Sequence, residues 1–292
     1  MAAATFASLP LAINASQTPF IWGLLLLSLP LVIIGFWDDV TDVSSLVRLM
    51  IQLLTVVCFV AFFEKGALFP FAGQGGWFLL TILVLGLGVA GTWWINLFNF
   101  MDGIDGLACL QGIFMLFAAC LLGAWHHEAA ISQAWWWLAL TMVGALCGFL
   151  WFNWSPAKIF MGDVGSTWLA FVIFALALIS IEFHTMSAIT WLILAALFVS
   201  DATCTLLMRF LSGQKFYAAH RSHAYQRLSR KFTQRKIGHR ATSSLYLAVN
   251  LFWLLPLAAA SLVHPTWWPL WLLLAYAPLC VAALSLGSGK KG

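Results

Sequence analysis

Residues 20–39 read FIWGLLLLSLPLVIIGFWDD, an unbroken apolar run that ends in two adjacent acids, Asp38 and Asp39. A helix needs about 20 mostly apolar residues to cross a bilayer core, within a range of about 17–25. Working outward from the first run, 20–37, eight more follow at 46–63, 77–98, 107–125, 135–152, 165–181, 187–208, 245–263 and 267–286. The composition agrees: of 292 residues, 63% are hydrophobic and 8% charged. A soluble domain carries about 25% charged and 45–50% apolar residues. A soluble globular domain, a disordered chain, a nucleic-acid binder and a disulfide scaffold are therefore all excluded. Continuous runs also exclude a barrel of alternating strands. The expected fold is all-α, a polytopic integral membrane protein of about nine transmembrane helices forming one domain over residues 1–292. Tryptophans crowd the run ends (Trp93, Trp94, Trp135, Trp136, Trp137, Trp267, Trp268), where interfacial belts account for them. Residues 1–20 lack the positive stretch and cleavage site of a signal peptide. The six cysteines, Cys58, Cys109, Cys120, Cys147, Cys204 and Cys280, fall in apolar runs without a CxxC pair and read as buried small hydrophobes.

The charges fix an expected orientation. Loops after the first, third, fifth and seventh spans share one side with the C-terminus and hold 13 of the 14 Lys and Arg, leaving only Lys65 opposite. The positive-inside rule puts that basic side in the cytoplasm. All seven Asp (38, 39, 42, 102, 105, 163 and 201) fall on or near the same face, while Glu64, Glu128 and Glu182 fall on the other. Solvated loops would use Glu and Lys as freely as Asp, so a face that gathers seven short carboxylates calls for chemistry.

Three loops on that face carry it. The first contains Asp38-Asp39, then Asp42, Ser44, Ser45 and Arg48. Adjacent carboxylates repel one another and suit a divalent cation with oxygen ligands, whereas Asp42 or Ser44 reads as a cap for the second helix. The second reads Asn96-Leu97-Phe98-Asn99-Phe100-Met101-Asp102-Gly103-Ile104-Asp105-Gly106, two acids each followed by a glycine that lets backbone approach a ligand. The third runs from Asn153 through Lys158 to Gly162-Asp163-Val164-Gly165. Lys158 is a point charge suited to phosphate, and Asp163 opens the sixth helix. Each loop enters a helix at this face, and helix N-termini favour phosphate. Carboxylates for a metal beside such ends outline a phosphoryl-transfer site. The long basic loop 209–244 adds His220-Arg221-Ser222-His223, whose donors could clamp a diphosphate. Its remaining basic residues equally suit anionic lipid. Asp201 lies in the seventh span, roughly 12 Å of helix before Arg209, where an ionisable group is a functional candidate.

Four stretches, GFWDDVTDVSSLVRLMIQ, NLFNFMDGIDGLA, NWSPAKIFMGDVGST and SDATCTLLMRFLSGQKFYAAHRSHAYQRL, together resemble the polyprenyl-phosphate N-acetylhexosamine-1-phosphate transferases over about residues 31–228. The HRSHAYQR form is most similar to the branch that initiates O-antigen and other surface polysaccharides. The resemblance implies a Mg²⁺-dependent (or Mn²⁺-dependent) transferase of a bacterial inner membrane, with its catalytic loops cytoplasmic. It would move HexNAc-1-phosphate from a UDP-N-acetylhexosamine to polyprenyl phosphate and release UMP. It implies that Asp38 and Asp39 handle the lipid phosphate and metal. Asn99, Asp102 and Asp105 would serve the nucleotide sugar and catalysis, with Asp102 catalytic, and Asp163 would bind the metal. Arg221 and His223 would contact diphosphate or uridine, with Asn153 and Lys158 also binding substrate. The implied partners are the two substrates and membrane lipid, with a homodimer admitted and no nucleic acid. The usual N-terminal helix and cytoplasmic Gly-Gly segment of the family are not matched in residues 1–20.

Two other classes compete. Asp38-Asp39-x-x-Asp42 has the spacing of a prenyl-diphosphate Mg²⁺ motif, although the 102/105 pair and the histidine loop have no task in an intramembrane prenyltransferase. A transporter would want charges near the midplane, and only Asp201 comes near it. Within the transferase reading, direct attack by the lipid phosphate and a covalent aspartyl route both fit the residues.

Overall fold

The computed structural model describes residues 18–41, 43–61, 63, 76–214, 220–233 and 237–290, and these form an all-helical bundle. Its elements are α1 (Thr18–Thr41), α2 (Ser45–Ala61), α3 (Trp77–Met101), α4 (Leu107–His126), α5 (Ala134–Asn153), α6 (Gly162–Glu182), α7 (Ala188–Leu211), α8 (Ala224–Thr233), α9 (Gly238–Val249), α10 (Leu255–Val263) and α11 (Trp268–Ser285). Eight helical segments among the described residues are long and apolar enough to cross a membrane, with α9 and α10 counting as one span over Gly238–Val263. The ninth apolar helix, α2, is shorter at 17 residues. Continuous helices follow from the solvent: hydrocarbon offers no partner to backbone N–H and C=O groups, so each span must satisfy its own.

The sides of the bundle are apolar outward. Phe78, Trp151 and Phe252 are each more than 80% exposed, a surface that water would penalise and lipid accepts. α4, α6 and α7 form the centre, and α11 packs mainly along α7. Inside, scattered polar groups lock helix to helix. Trp94 Nε1 donates to the Ala170 carbonyl at 2.8 Å, and Gln111 Nε2 to that of Leu194 at 3.1 Å. Asn250, at the π-helical turn Asn250–Leu254, donates to Gln111 Oε1 at 2.7 Å.

One close approach positions the acids. α1 packs along α6, and a Cβ added to Gly35 would lie 2.8 Å from Val164 Cα. Glycine thus lets the end of α1 meet the start of α6, and with it Asp38 and Asp39 meet Asp163.

Several expectations change. Asp38 and Asp39 are not in a loop, because α1 continues through them to Thr41. Both Asp38 and Arg48 face the polar end of the bundle, where the last helical turn can leave the hydrocarbon. The segment 209–244 is not a plain loop: α7 runs to Leu211, α8 occupies Ala224–Thr233, and α9 begins at Gly238, ahead of the expected 245. α9 can start among polar residues because its first turns are buried against protein, with Thr242 and Ser243 inaccessible. Of the cysteines, Cys109 and Cys120 are buried but Cys147 is exposed on α5, since a lipid-facing apolar surface needs no burial inside protein. The expected cap at Asp42 lies outside the described residues, while Ser44 Oγ does accept from Val47 N–H, at 3.5 Å.

Candidate active site

Four helix ends bring polar side chains together at one end of the bundle. Asp38, in the last turn of α1, accepts Val43 N–H on Oδ1 at 2.9 Å and the Arg48 guanidinium on Oδ2. The same Arg48 nitrogen reaches Asp163 Oδ2 at 2.7 Å. From α3, Asn99 Nδ2 donates to Asp163 Oδ1 at 3.0 Å and contacts Ser166 Oγ at 2.9 Å. Asp39 lies close enough to Asp163 and Asp38 for their charges to interact, and the Asp163 backbone N–H points at its carboxylate. Asp102 caps the C-terminus of α3. Burial pushes its carboxyl up to about 7, and the Asp163 charge pushes the same way. Asp38, Asp39, Asp102 and Asp163 are thus one electrostatic cluster, drawn from α1, α3 and α6 and bridged by a cation from α2.

Two cavities meet at this cluster. One, of about 450 Å³, runs between α1, α2 and α3; Leu31, Ile34, Leu53 and Val89 line its apolar part, and Arg48, Asn99 and Asp163 its polar end. The other, of about 300 Å³, is lined by Asn99, Asp102, Asp105, Asn153, Asp163 and His239 among others. Asn99 and Asp163 belong to both.

The remaining predicted residues divide. Asp105 is held at the second cavity by Ala157 N–H at 3.2 Å and His239 Nδ1 at 3.2 Å. Asn153 is buried with both ends of its amide engaged: Oδ1 accepts Gly106 N–H at 3.1 Å and Nδ2 donates to the Ile159 carbonyl at 2.8 Å. That geometry makes it a strut between two loops. It also occupies one N–H at the mouth of α4, where the sequence suggested an anion site. Lys158 is exposed and lines neither cavity. Arg221 is exposed, and its carbonyl accepts from Arg230 at 2.9 Å. His223 is 2% exposed and stacks between His220 and Tyr225 rather than opening to solvent. Burial and the neighbouring His223 and Arg209 lower the His220 ring to about 4.

Arg48, Gln52, Asn96 and His239 also line the cavities, although none is among the site residues expected from the sequence. A signal existed for three of them. Arg48 and Gln52 are four apart on α2, and Thr92, Asn96 and Asn99 follow helical spacing on α3, so each helix carries a polar stripe on one face. The stripes meet where Asn96 Nδ2 donates to Gln52 Oε1 at 2.6 Å.

The chain's resemblances point the same way. The profile of the family described as Glycosyl transferase family 4 matches residues 21–181, more than half of the chain. The chain belongs to glycosyl transferase family 4. The matched region carries the acidic cluster and every residue bridging it. Among similar proteins is one of Bacillus subtilis (strain 168) named probable undecaprenyl-phosphate N-acetylglucosaminyl 1-phosphate transferase. It is 29% identical over 206 residues, covering 68% of this chain and 55% of that protein. Another is a phospho-N-acetylmuramoyl-pentapeptide-transferase of Streptococcus pneumoniae serotype 2 (strain D39 / NCTC 7466), 32% identical over 187 residues, covering 60% of this chain and 53% of that protein. A third, with the same name, from Streptococcus pneumoniae (strain CGSP14), is 32% identical over 218 residues, 70% of this chain and 63% of its own. The chain spans less than two thirds of the length of each of these relatives.

Proposed function

We propose that the chain transfers HexNAc-1-phosphate from a UDP-N-acetylhexosamine to polyprenyl phosphate, releasing UMP and leaving a lipid-diphosphate-linked sugar that starts a cell-surface polysaccharide. The observation that carries this reading is the junction of an apolar and a polar cavity at Asn99 and Asp163. A prenyl chain suits the first, which opens along lipid-facing helices, and a nucleotide sugar suits the second. The names of the similar proteins support an undecaprenyl-phosphate substrate in one case and a phospho-N-acetylhexosamine as the transferred group in both. The acidic end faces the cytoplasm in this reading, because 13 of 14 basic residues lie on that side of the sequence topology.

The chemistry follows from the cluster. An oxygen of the lipid phosphate attacks the β-phosphorus of the donor, the β-phosphorus–oxygen bond to the α-phosphate breaks, and UMP leaves with that electron pair. The attacking phosphate, with a second pKa of about 6, is largely ionised at neutral pH, so it needs positioning more than deprotonation. Arg48, aimed at the polar end of the apolar cavity, supplies positive charge to an arriving phosphate. Both Asp38 oxygens are already engaged, which favours an orienting role for this residue over nucleophilic attack.

The donor set fits Mg²⁺. Asp163 and the three carboxylates around it, Asp38, Asp39 and Asp102, are all hard oxygen ligands. Among the described residues no three acidic, His or Cys side chains form a group that could hold an ion, so a Mg²⁺ bound here would take one or two carboxylates and complete its shell with substrate phosphate and water. Asp163, with Asp39 and Asp102 beside it, would hold the ion. When bound, it would screen the diphosphate and stabilise charge on the leaving oxygen. The test is to incubate the purified protein with polyprenyl phosphate, Mg²⁺ and a panel of UDP-HexNAc donors. A lipid-diphosphate sugar in the mass spectrum supports the reading, and a prenylated product or no lipid product with any donor overturns it.

A further inference from the structure

Asp201 is fully buried in α7, in the membrane-spanning part of the bundle, yet it makes an unusual number of contacts with one short segment. Its Oδ1 accepts Ala224 N–H at 2.8 Å and its Oδ2 accepts Tyr225 N–H at 2.9 Å. These are the first two residues of α8, so a carboxylate 23 residues earlier in sequence acts as an N-terminal cap of α8. Tyr246 Oη, from α9, donates to the same Oδ2 at 2.7 Å. His223 Nδ1 lies 3.6 Å from Oδ1. The desolvation cost of a buried carboxylate is thus offset by several donors converging from α8 and α9.

The segment fixed in this way reaches the acidic cluster. Tyr225 Oη donates to the Phe100 carbonyl at 2.9 Å, in the last turn of α3 just ahead of Asp102. A Cβ on Gly103 would collide with that hydroxyl at 2.0 Å, so glycine leaves room for the tyrosine against the Asp102 turn. His223 stacks on Tyr225, with ring centroids 5.7 Å apart, and approaches Phe100 at 6.4 Å.

We infer that Asp201 is a positioning residue: by capping α8 it sets Tyr225 against the Phe100 carbonyl and so holds the turn that carries Asp102 at the polar cavity. The inference rests on the proposed transfer for its kinetic consequence, but not for its geometry. It does not make Asp201 a proton relay or a metal ligand.

The test uses the full-length protein in detergent with Asp201→Asn, Tyr225→Phe and the double variant. Amide hydrogen exchange of 100–106 and 220–233 reads the tether directly, without turnover. Asp201→Asn is expected to raise exchange at both segments at least tenfold, and Tyr225→Phe to raise it at 100–106 alone. Kinetically, each single variant is expected to lower kcat/KM for the UDP-sugar about tenfold with KM for the lipid phosphate unchanged, and the double variant to be no worse than Asp201→Asn. Wild-type exchange at 100–106 in both variants would overturn the inference, as would equal losses for both substrates. Should Asp201→Asn fail to fold, Tyr225→Phe decides alone. Absence of turnover in the wild-type protein would count against the proposed transfer, while the exchange result would still decide the tether.

Discussion

Gly35 on α1 lies against Val164 on α6 so closely that a single added Cβ would come within 2.8 Å of the Val164 Cα. The contact is backbone to backbone, so no side chain can give way. It sits one turn before Asp38 and next to Asp163, and it sets the distance across which Arg48 joins the two. Gly35→Ala should therefore push the ends of α1 and α6 apart. Overpacking of this kind costs about 1–3 kcal/mol. The expected result is a modest fall in melting temperature and a loss of UMP release of at least about tenfold, read by circular dichroism and a coupled UMP assay. Full turnover in Gly35→Ala would show that the spacing is not critical.

Arg48 offers a sharper separation of charge from fold. Its guanidinium bridges Asp38 and Asp163 while about a third exposed. Charge-assisted hydrogen bonds contribute about 1.5–3 kcal/mol, so Arg48→Ala is expected to reduce turnover roughly 10–100-fold. Arg48→Lys keeps the charge but not the planar fork and should fall between. The check is steady-state kinetics against lipid phosphate concentration, where the loss should grow as the acceptor becomes limiting.

Asn153 separates a structural role from a binding role. Both ends of its amide join two loops inside the protein. Asn153→Ala leaves a buried N–H and a carbonyl unpaired, at a cost of about 1–3 kcal/mol. A lower melting temperature is expected, together with an unchanged KM for the nucleotide sugar in the protein that remains folded. An increase in KM without loss of stability would instead support the substrate-binding role expected from the sequence.

Much of the helical architecture is legible because hydrocarbon imposes it: each of the nine apolar runs corresponds to an apolar helix or, for Gly238–Val263, a helical pair. Helix ends are less legible. Apolarity stops where lipid stops, whereas α1 continues through Asp38 and Asp39, and α9 begins at Gly238 because Ser243 Oγ finds the Asp105 carbonyl at 2.9 Å inside protein. The candidate site is legible in its acids, which stand out in so apolar a chain. Its bridges are not. Arg48 counts in the sequence as one more residue of the basic side, and nothing local shows that its partner lies 115 residues away at Asp163. His223 and Arg221 read alike as donors in a loop, but folding buries the first against Asp201 and leaves the second exposed.

His220 gives a pH prediction with a definite sign. Burial, His223 and Arg209 lower its ring to about 4 in the folded protein, against about 6.5 when unfolded. Between those values the unfolded chain binds more protons than the folded one, so stability rises with pH across that window. The contribution is complete above about 6.5 and is lost as pH falls toward 4. His220→Phe keeps an aromatic ring beside His223 and cannot be protonated. Its melting temperature should fall less than that of the wild type between pH 7 and pH 5, and parallel curves would contradict the assignment.

The most direct test of the acidic cluster is UMP release from a UDP-N-acetylhexosamine by the purified protein with polyprenyl phosphate and Mg²⁺, measured for wild type and Asp163→Asn side by side. Release is expected to stop on chelation, to return with added Mg²⁺, and to fall to background in a folded Asp163→Asn protein. Wild-type rates in Asp163→Asn would rule out a role for the cluster in the transfer.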